Sequence, residues 1–187
     1  MPNADEIRWN VNAYLAYGFK ALSYFNYVMW GGESCYDGLI DREGNILHQE
    51  LYDQVSSMNW EIRSMSDLLM NLDCLHAYHT QNDVADVEVL PENWIVTPAD
   101  SSDLILSYMR AKDGTEPYLA VFNKSFESEV EQTFILDEGS GITGLEAYNP
   151  ATKQYDAVAI ENGTFTLSLA KSELKFLRLK GKVVLPA

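Results

Sequence analysis

On a period of two, Tyr24, Asn26 and Trp30 fall on one side of the stretch "ALSYFNYVMWGGES" (residues 21–34), and the carboxylates Glu33, Asp37 and Asp41 follow closely behind. An indole offers an apolar face for stacking on a ring and an N–H for a hydroxyl. A buried Asn needs partners, so Asn26 is either a polar group of an interior or a helper of a site. Carboxylates are the groups of general acid–base work, but no spacing here sets two of them across a substrate. A carboxylate-rich loop is the ordinary expectation for a chain of formal charge −15, so these three read as surface groups, with Glu33 placed for a ligand contact by position alone.

The elements that would hold these residues can be read from periodicity. Asn3 or Asp5 caps a first helix, in which Ile7, Val11, Tyr14 and Leu15 recur at helical spacing until Gly18. From Phe19 to Trp30 the pattern turns to period two with both faces largely apolar: Leu22, Tyr24, Val28 and Trp30 with Asn26 on one, Ala21, Phe25, Tyr27 and Met29 on the other. A strand covered on both sides reads this way. Asp41-Arg42-Glu43-Gly44-Asn45 then forms a turn between Leu39-Ile40 and Ile46-Leu47. Over residues 49–72, Leu51, Val55, Met58, Ile62, Met65 and Leu69 predict one long helix with a single apolar stripe. Helix, doubly covered strand, loop and long helix make the rhythm of an α/β unit.

Residues 73–100 lose that periodicity and carry Pro91 and Pro98, which marks a connector packed through Val89, Leu90, Trp94 and Ile95. His76 and His79 lie in it and, like His48, read as exposed loop histidines rather than metal ligands. Cys35 and Cys74 have no CxxC spacing and support neither a disulfide framework nor a zinc site. Beyond Asp100, seven short runs fenced by turn residues suggest an antiparallel β-sandwich with one buried face per strand: Phe165, Leu167 and Leu169 alternate with Thr164, Thr166 and Ser168. Asn162-Gly163 is a strong hairpin signal.

Composition sets outer bounds. An apolar content of 47% with 12% aromatic is that of a folding globular chain. Thirteen Lys and Arg against 28 Asp and Glu repel phosphate backbones and anionic lipid, so neither nucleic acid nor a membrane is the expected partner. The start "MPNADEIRWN" has no signal-peptide character, which favours the cytoplasm.

The quoted residues also carry a resemblance. "LAYGFKALSYFNYVMWGG", "GLIDREGN" and "ELYDQVSSMNWEI" resemble the last β-strand and helix of the (β/α)₈ barrel of bacterial β-galactosidase-like glycoside hydrolases of clan A, in which an Ala-Tyr-Gly-Ala/Phe-Lys helix exit precedes an aromatic barrel strand. "YLAVFNKSFESEVEQTFIL" and "GLEAYNPATKQYDAVAIENGTFTLSLAKSELKFLRL" resemble the β-sandwich that follows such barrels, a pattern shared by many glycosidase tails. The resemblance implies an α+β chain: residues 1–72 as a helix-strand-helix remnant of a (β/α)₈ barrel, 73–100 as the connector, and 101–187 as a sandwich of about seven strands. A closed barrel takes roughly 250 residues, far more than this portion holds.

It further implies a parent carbohydrate hydrolase that retains configuration with two carboxyl groups roughly 5 Å apart and uses no cofactor or metal. In the resembling barrels those groups stand at the ends of the fourth and seventh strands, upstream of the residues matched here, so no catalytic residue carries over and the chain alone is not expected to hydrolyse glycosides. Trp30, at the exit of its strand, becomes a sugar platform facing the mouth, with Glu33, Asn26 and Tyr24 as companion substrate contacts. A strand made for two neighbours leaves open edges, so self-association through residues 1–72 is expected. The rival reading is a non-catalytic carbohydrate-binding or protein-interaction sandwich; Tyr108, Tyr118, Tyr148 and Tyr155 would form its sugar face, although core packing is the commoner use of such residues.

Overall fold

The computed structural model of the chain describes residues 2–28, 38–82 and 85–186. Among them are three helices, α1 (Ala4–Ala16), α2 (Gln49–Ser64) and α3 (Ser66–Asn71), and nine strands: β1 (Leu72–His79), β2 (Val96–Pro98), β3 (Leu104–Ala111), β4 (Pro117–Asn123), β5 (Val130–Leu136), β6 (Ile142–Asn149), β7 (Gln154–Val158), β8 (Thr164–Leu169) and β9 (Leu174–Gly181). The strands form two antiparallel sheets, one in the order β1-β3-β4-β9-β6-β7 and one in the order β2-β5-β8. The protein is therefore α+β, a short helical part followed by a β-sandwich, and its last seven strands fall where the sequence places them.

The layers are helices, six-stranded sheet and three-stranded sheet, with an apolar core on each face of the middle one. Val11, Leu15, Val55, Met58 and Leu69 from the helices pack on Ile105, Met109, Tyr118, Phe122 and Phe176. On the other face Leu104, Leu106, Tyr108, Leu119, Val121 and Leu177 meet Phe134, Phe165, Leu167 and Leu169. The alternation within β3, β4 and β9 thus sorts odd and even positions into two cores. The expectation of one buried face per strand holds for β8 and fails for β3 and β4, which are buried almost throughout because helices cover their second side.

Local chemistry sets α1. Asn3 and Glu6 form a capping box, each side chain accepting from the other's backbone N–H at 2.9 and 2.8 Å. Trp9 Nε1 donates to the Lys124 carbonyl at 2.5 Å and its ring lies 6.1 Å from that of Phe122. Buried Asn12 donates to the Ser172 carbonyl at 2.8 Å, and Ser172 Oγ donates to the Asp5 carbonyl at 3.2 Å, so α1 is pinned to the β8–β9 turn. Gly18 ends the helix at φ +83°, where a Cβ would stand 2.6 Å from Cys74 Cβ.

Three expectations are corrected. No strand forms over 19–28: among the described residues its one ladder contact is the parallel bridge of Val28 with Ile40, and Phe19, Phe25 and Tyr27 are exposed. The remainder of the expected strand, Met29 and Trp30, lies outside the described residues. The helix over 49–72 breaks at Met65, where Ser64 Oγ bonds back to the Glu61 carbonyl at 2.6 Å and reaches the Pro150 carbonyl at 3.1 Å, drawing the chain toward the β6–β7 turn. The stretch expected as connector opens with β1, an edge strand of the large sheet, so His76 and His79 are strand residues rather than loop residues. Trp94 and Ile95 are buried as expected of a packed segment, while Val89 is exposed. The turn expected at Asp41–Asn45 closes a small hairpin, bridged by Ile40 and Ile46.

Two outcomes follow from this packing. Asn12→Ala leaves the Ser172 carbonyl unpaired in a buried contact and should cost about 1–3 kcal/mol in urea unfolding; a loss below about 0.5 kcal/mol would remove this anchor from the account. Asp41, Asp100 and Asp113 each accept hydrogen bonds from the side chain and backbone of a residue two to four positions on, which holds their carboxyls below the ordinary Asp range. Their stabilising effect is present above the unfolded value of about 3.9 and is lost as pH falls through the lower folded values. The triple Asp→Asn variant keeps an acceptor oxygen in each turn, so its unfolding midpoint should fall less steeply than the parent's below about pH 4.

Candidate functional site

The segment 19–28 keeps its period of two without being a strand. Leu22, Tyr24, Asn26 and Val28 are half-buried, while Ala21, Ser23, Phe25 and Tyr27 are exposed, Phe25 to 90%. The half-buried side faces the helices: Leu22 and Tyr24 pack on the helical core, and Tyr24 Oη donates to Asn59 Oδ1 of α2 at 2.7 Å. Burial pushes the Tyr24 phenol up. Tyr24 is therefore tied to α2, and the open side of the segment belongs to Phe25 and Tyr27. Trp30, Glu33 and Asp37 lie outside the described residues. Asp41 is fully engaged in its turn, accepting from the Asn45 backbone and side-chain N–H groups at 2.7 Å each.

Clefts adjoin the segment. One of about 460 Å³ lies against α1 between Val11, Tyr14 and Phe25; another of about 390 Å³ lies against α2 and α3 between Ile62, Leu69 and Met70. Phe19, Leu22 and Tyr24 line both. Neither is lined by a carboxylate, so among the described residues these clefts hold no acid–base pair.

A second grouping stands at the β6–β7 end of the large sheet. Tyr118, Tyr148 and Tyr155 come together there: the Tyr118 and Tyr155 hydroxyls are 2.9 Å apart, and the Tyr148 and Tyr155 rings meet edge to face at 5.3 Å. Tyr108 does not join them; it sits between the sheets, edge-on to Trp94 at 6.4 Å. The Arg178 guanidinium lies 3.9 Å over the Tyr155 ring, donates to Glu146 at 2.9 and 2.5 Å and to Glu116 at 3.2 Å, while Lys180 reaches Glu146 at 3.0 Å. Hydrogen bonds from Arg178, then Lys180, hold the Glu146 carboxyl below the usual range. Burial works against the Arg178 charge, but Glu146 and Glu116 outweigh it and its pKa rises. Burial, then the Tyr155 hydroxyl, pushes the Tyr118 phenol well up.

A glycosidic general acid needs a carboxyl raised toward neutrality, whereas the carboxyl shifts resolved among the described residues all run downward. This end of the sheet holds two half-buried tyrosine rings and the buried Tyr118 beside fixed charges, groups that stack and hydrogen-bond.

The sequence pointed to no role for β1, yet it gathers a third set of rings. His79, 5% exposed, meets Tyr17 Oη through Nε2 at 2.7 Å. The His76 ring stacks on Tyr78 at 5.5 Å, and both lie edge-on to Trp94, at 5.7 and 4.8 Å. A register shift between Cys74 and His76 changes the face, so Leu72, Cys74 and Ala77 lie on the helical side and Tyr78 on the other, and no single period of two runs through the strand. Among the described residues no three His, Cys, Asp or Glu side chains converge on a metal-sized site, and no helix is long and apolar enough to cross a membrane.

No family model matches the chain, and no curated protein matches it. Among solved structures, it is similar to a "putative alpha-N-acetylgalactosaminidase" of Bacillus halodurans, with a TM-score of 0.44 and 12% identity over 97% of this chain and 33% of that one. It is also similar to a rhamnosidase of Novosphingobium sp. PP1Y, with a TM-score of 0.33 and 19% identity over 53% of this chain and 10% of that one. The chain thus spans a third of the length of the first and a tenth of the second.

Proposed function

We propose that the chain is the C-terminal part of a β-galactosidase-like glycoside hydrolase, its first 72 residues the closing unit of a (β/α)₈ barrel and its remainder the sandwich behind it, without catalytic activity by itself. The observation that carries this reading is the segment 19–28: one side seated on α1 and α2, the other open and aromatic, and apolar clefts along it. Within a barrel such a segment would have helices on one face, the interior on the other and a neighbouring strand along each edge, and of these the helical face is the one present. A self-contained sandwich module would instead have this segment inside its core, which is not where it lies.

On this reading Phe25 and Tyr27 face the barrel interior, Tyr24 and Asn26 lie on the side seated against the helices, and Trp30 and Glu33 contact the sugar beyond the end of the segment. The acid/base and nucleophile come from the upstream part of the parent. Sequencing the DNA immediately upstream tests this: an in-frame region encoding the preceding βα units, with two glutamates at strand ends, is expected. A stop codon directly upstream, in frame, would sink it. The 187-residue chain itself should release no more nitrophenol from an aryl β-galactoside than buffer does.

A second reading, a carbohydrate-binding sandwich, is favoured by one observation, the convergence of Tyr118, Tyr148 and Tyr155 around Arg178. Stacking and charged hydrogen bonds at this end would bind a sugar ring. Galactose titrated into labelled protein should then shift the Tyr148 and Tyr155 ring resonances, and Tyr155→Leu should weaken binding about tenfold. Unmoved ring resonances at high sugar concentration would end this reading.

A further inference from the structure

The exposed apolar residues are concentrated on the helical layer. Tyr14, Phe19, Phe25, Tyr27, Trp60 and Met70 are all open, Trp60 to 65%. They form one continuous face. Phe19 lines the clefts on both sides of the segment, and Asn59 and Arg63 line both the α2–α3 cleft and a third, of about 200 Å³, between Tyr27 and Trp60. With about 150–250 Å² on a large aromatic side chain, the open fractions of these six amount to roughly 500–900 Å². A stable association buries about 800 Å² per partner, so a face of this size is sufficient for one, and it exceeds what soluble monomers commonly leave open.

Charge selects the occupant. The chain carries −15, yet among the described residues no Asp or Glu lines any of the three clefts, and the ionic residues that do are Lys20 and Arg63. Two copies approaching by any acid-studded face repel each other, and here that repulsion is absent at contact. The face also carries both a projection, Phe25, and apolar recesses able to receive it, which is the self-complementarity an isologous two-fold contact requires.

We infer that the 187-residue chain forms a two-fold dimer through this face, with Phe25 of each copy entering the cleft between Ile62 and Met70 of the other. The inference rests on the open face and not on the barrel reading. A dimer without upstream barrel sequence would leave it standing and remove that reading; a monomer with such sequence would do the reverse.

Sedimentation equilibrium of the full chain tests it. Twice the chain mass is expected at tens of micromolar, and dissociation should weaken at high salt as screening removes the repulsion between two polyanions. Phe25 makes almost no contact within its own chain, so Phe25→Glu should fold with unchanged circular dichroism and dissociate at least about 30-fold more readily. Phe126→Glu, an equivalent change on the sandwich, should leave the dimer intact. A monomer throughout the concentration range, a mass increasing without limit, or a dimer indifferent to Phe25→Glu would each overturn the proposal.

Discussion

Everything in this structure is referred to one sheet covered on both faces. β3, β4 and β9 alternate their side chains between a helical core and an inter-sheet core, so the same short strands hold the helices on one side and the small sheet on the other. A strand buried this way has no solvent face on which to place charge, and β3 and β4 accordingly carry almost none. The acidic excess is displaced to turns, helix surfaces and the β6–β7 end.

That displacement explains where charged chemistry can sit. Toward the β6–β7 end, where Tyr148 and Tyr155 still pack on the helical core, the row that contains Tyr118 on β4 continues through Arg178 on β9 to Glu146 on β6. Arg178 stands at the margin between apolar core and open surface, and it is stabilised there by two carboxylates and a tyrosine ring. The same partners remove Glu146 from proton transfer, because a carboxylate held by guanidinium and ammonium donors stays ionised.

The strands from Leu104 onward were legible because each turn announces itself, by Asp113-Gly114, Gly139-Ser140-Gly141 and Asn162-Gly163, and because short apolar runs between such turns have few alternatives. What sequence could not reveal is coverage. The runs of β3 and β4 and the segment 19–28 have the same two-sided apolar pattern, and their fates are opposite: the first two are inside and the last is open. Periodicity reports which side chains share a face, and it was right about Leu22, Tyr24 and Val28 against Phe25 and Tyr27. Whether a face is covered depends on other elements. β1 was missed for the complementary reason, since an edge strand that carries Asp73, His76 and His79 and shifts register between Cys74 and His76 looks like loop until a neighbour pairs with it.

The candidate site was legible to the same extent. Tyr24 and Asn26 were placed on one side of the segment, as found, but the side that pattern alone marked for a ligand is the side seated on helices. Two-sided apolar segments have one face for the scaffold and one for something else, and the scaffold takes the face whose groups find partners there, as Tyr24 does in Asn59. The other face is then the informative one. On it stand Phe25 and Tyr27, and among the described residues no carboxylate lines the clefts beside them, so the open apolar area and the acids of the turns and sheet end occupy different parts of the surface.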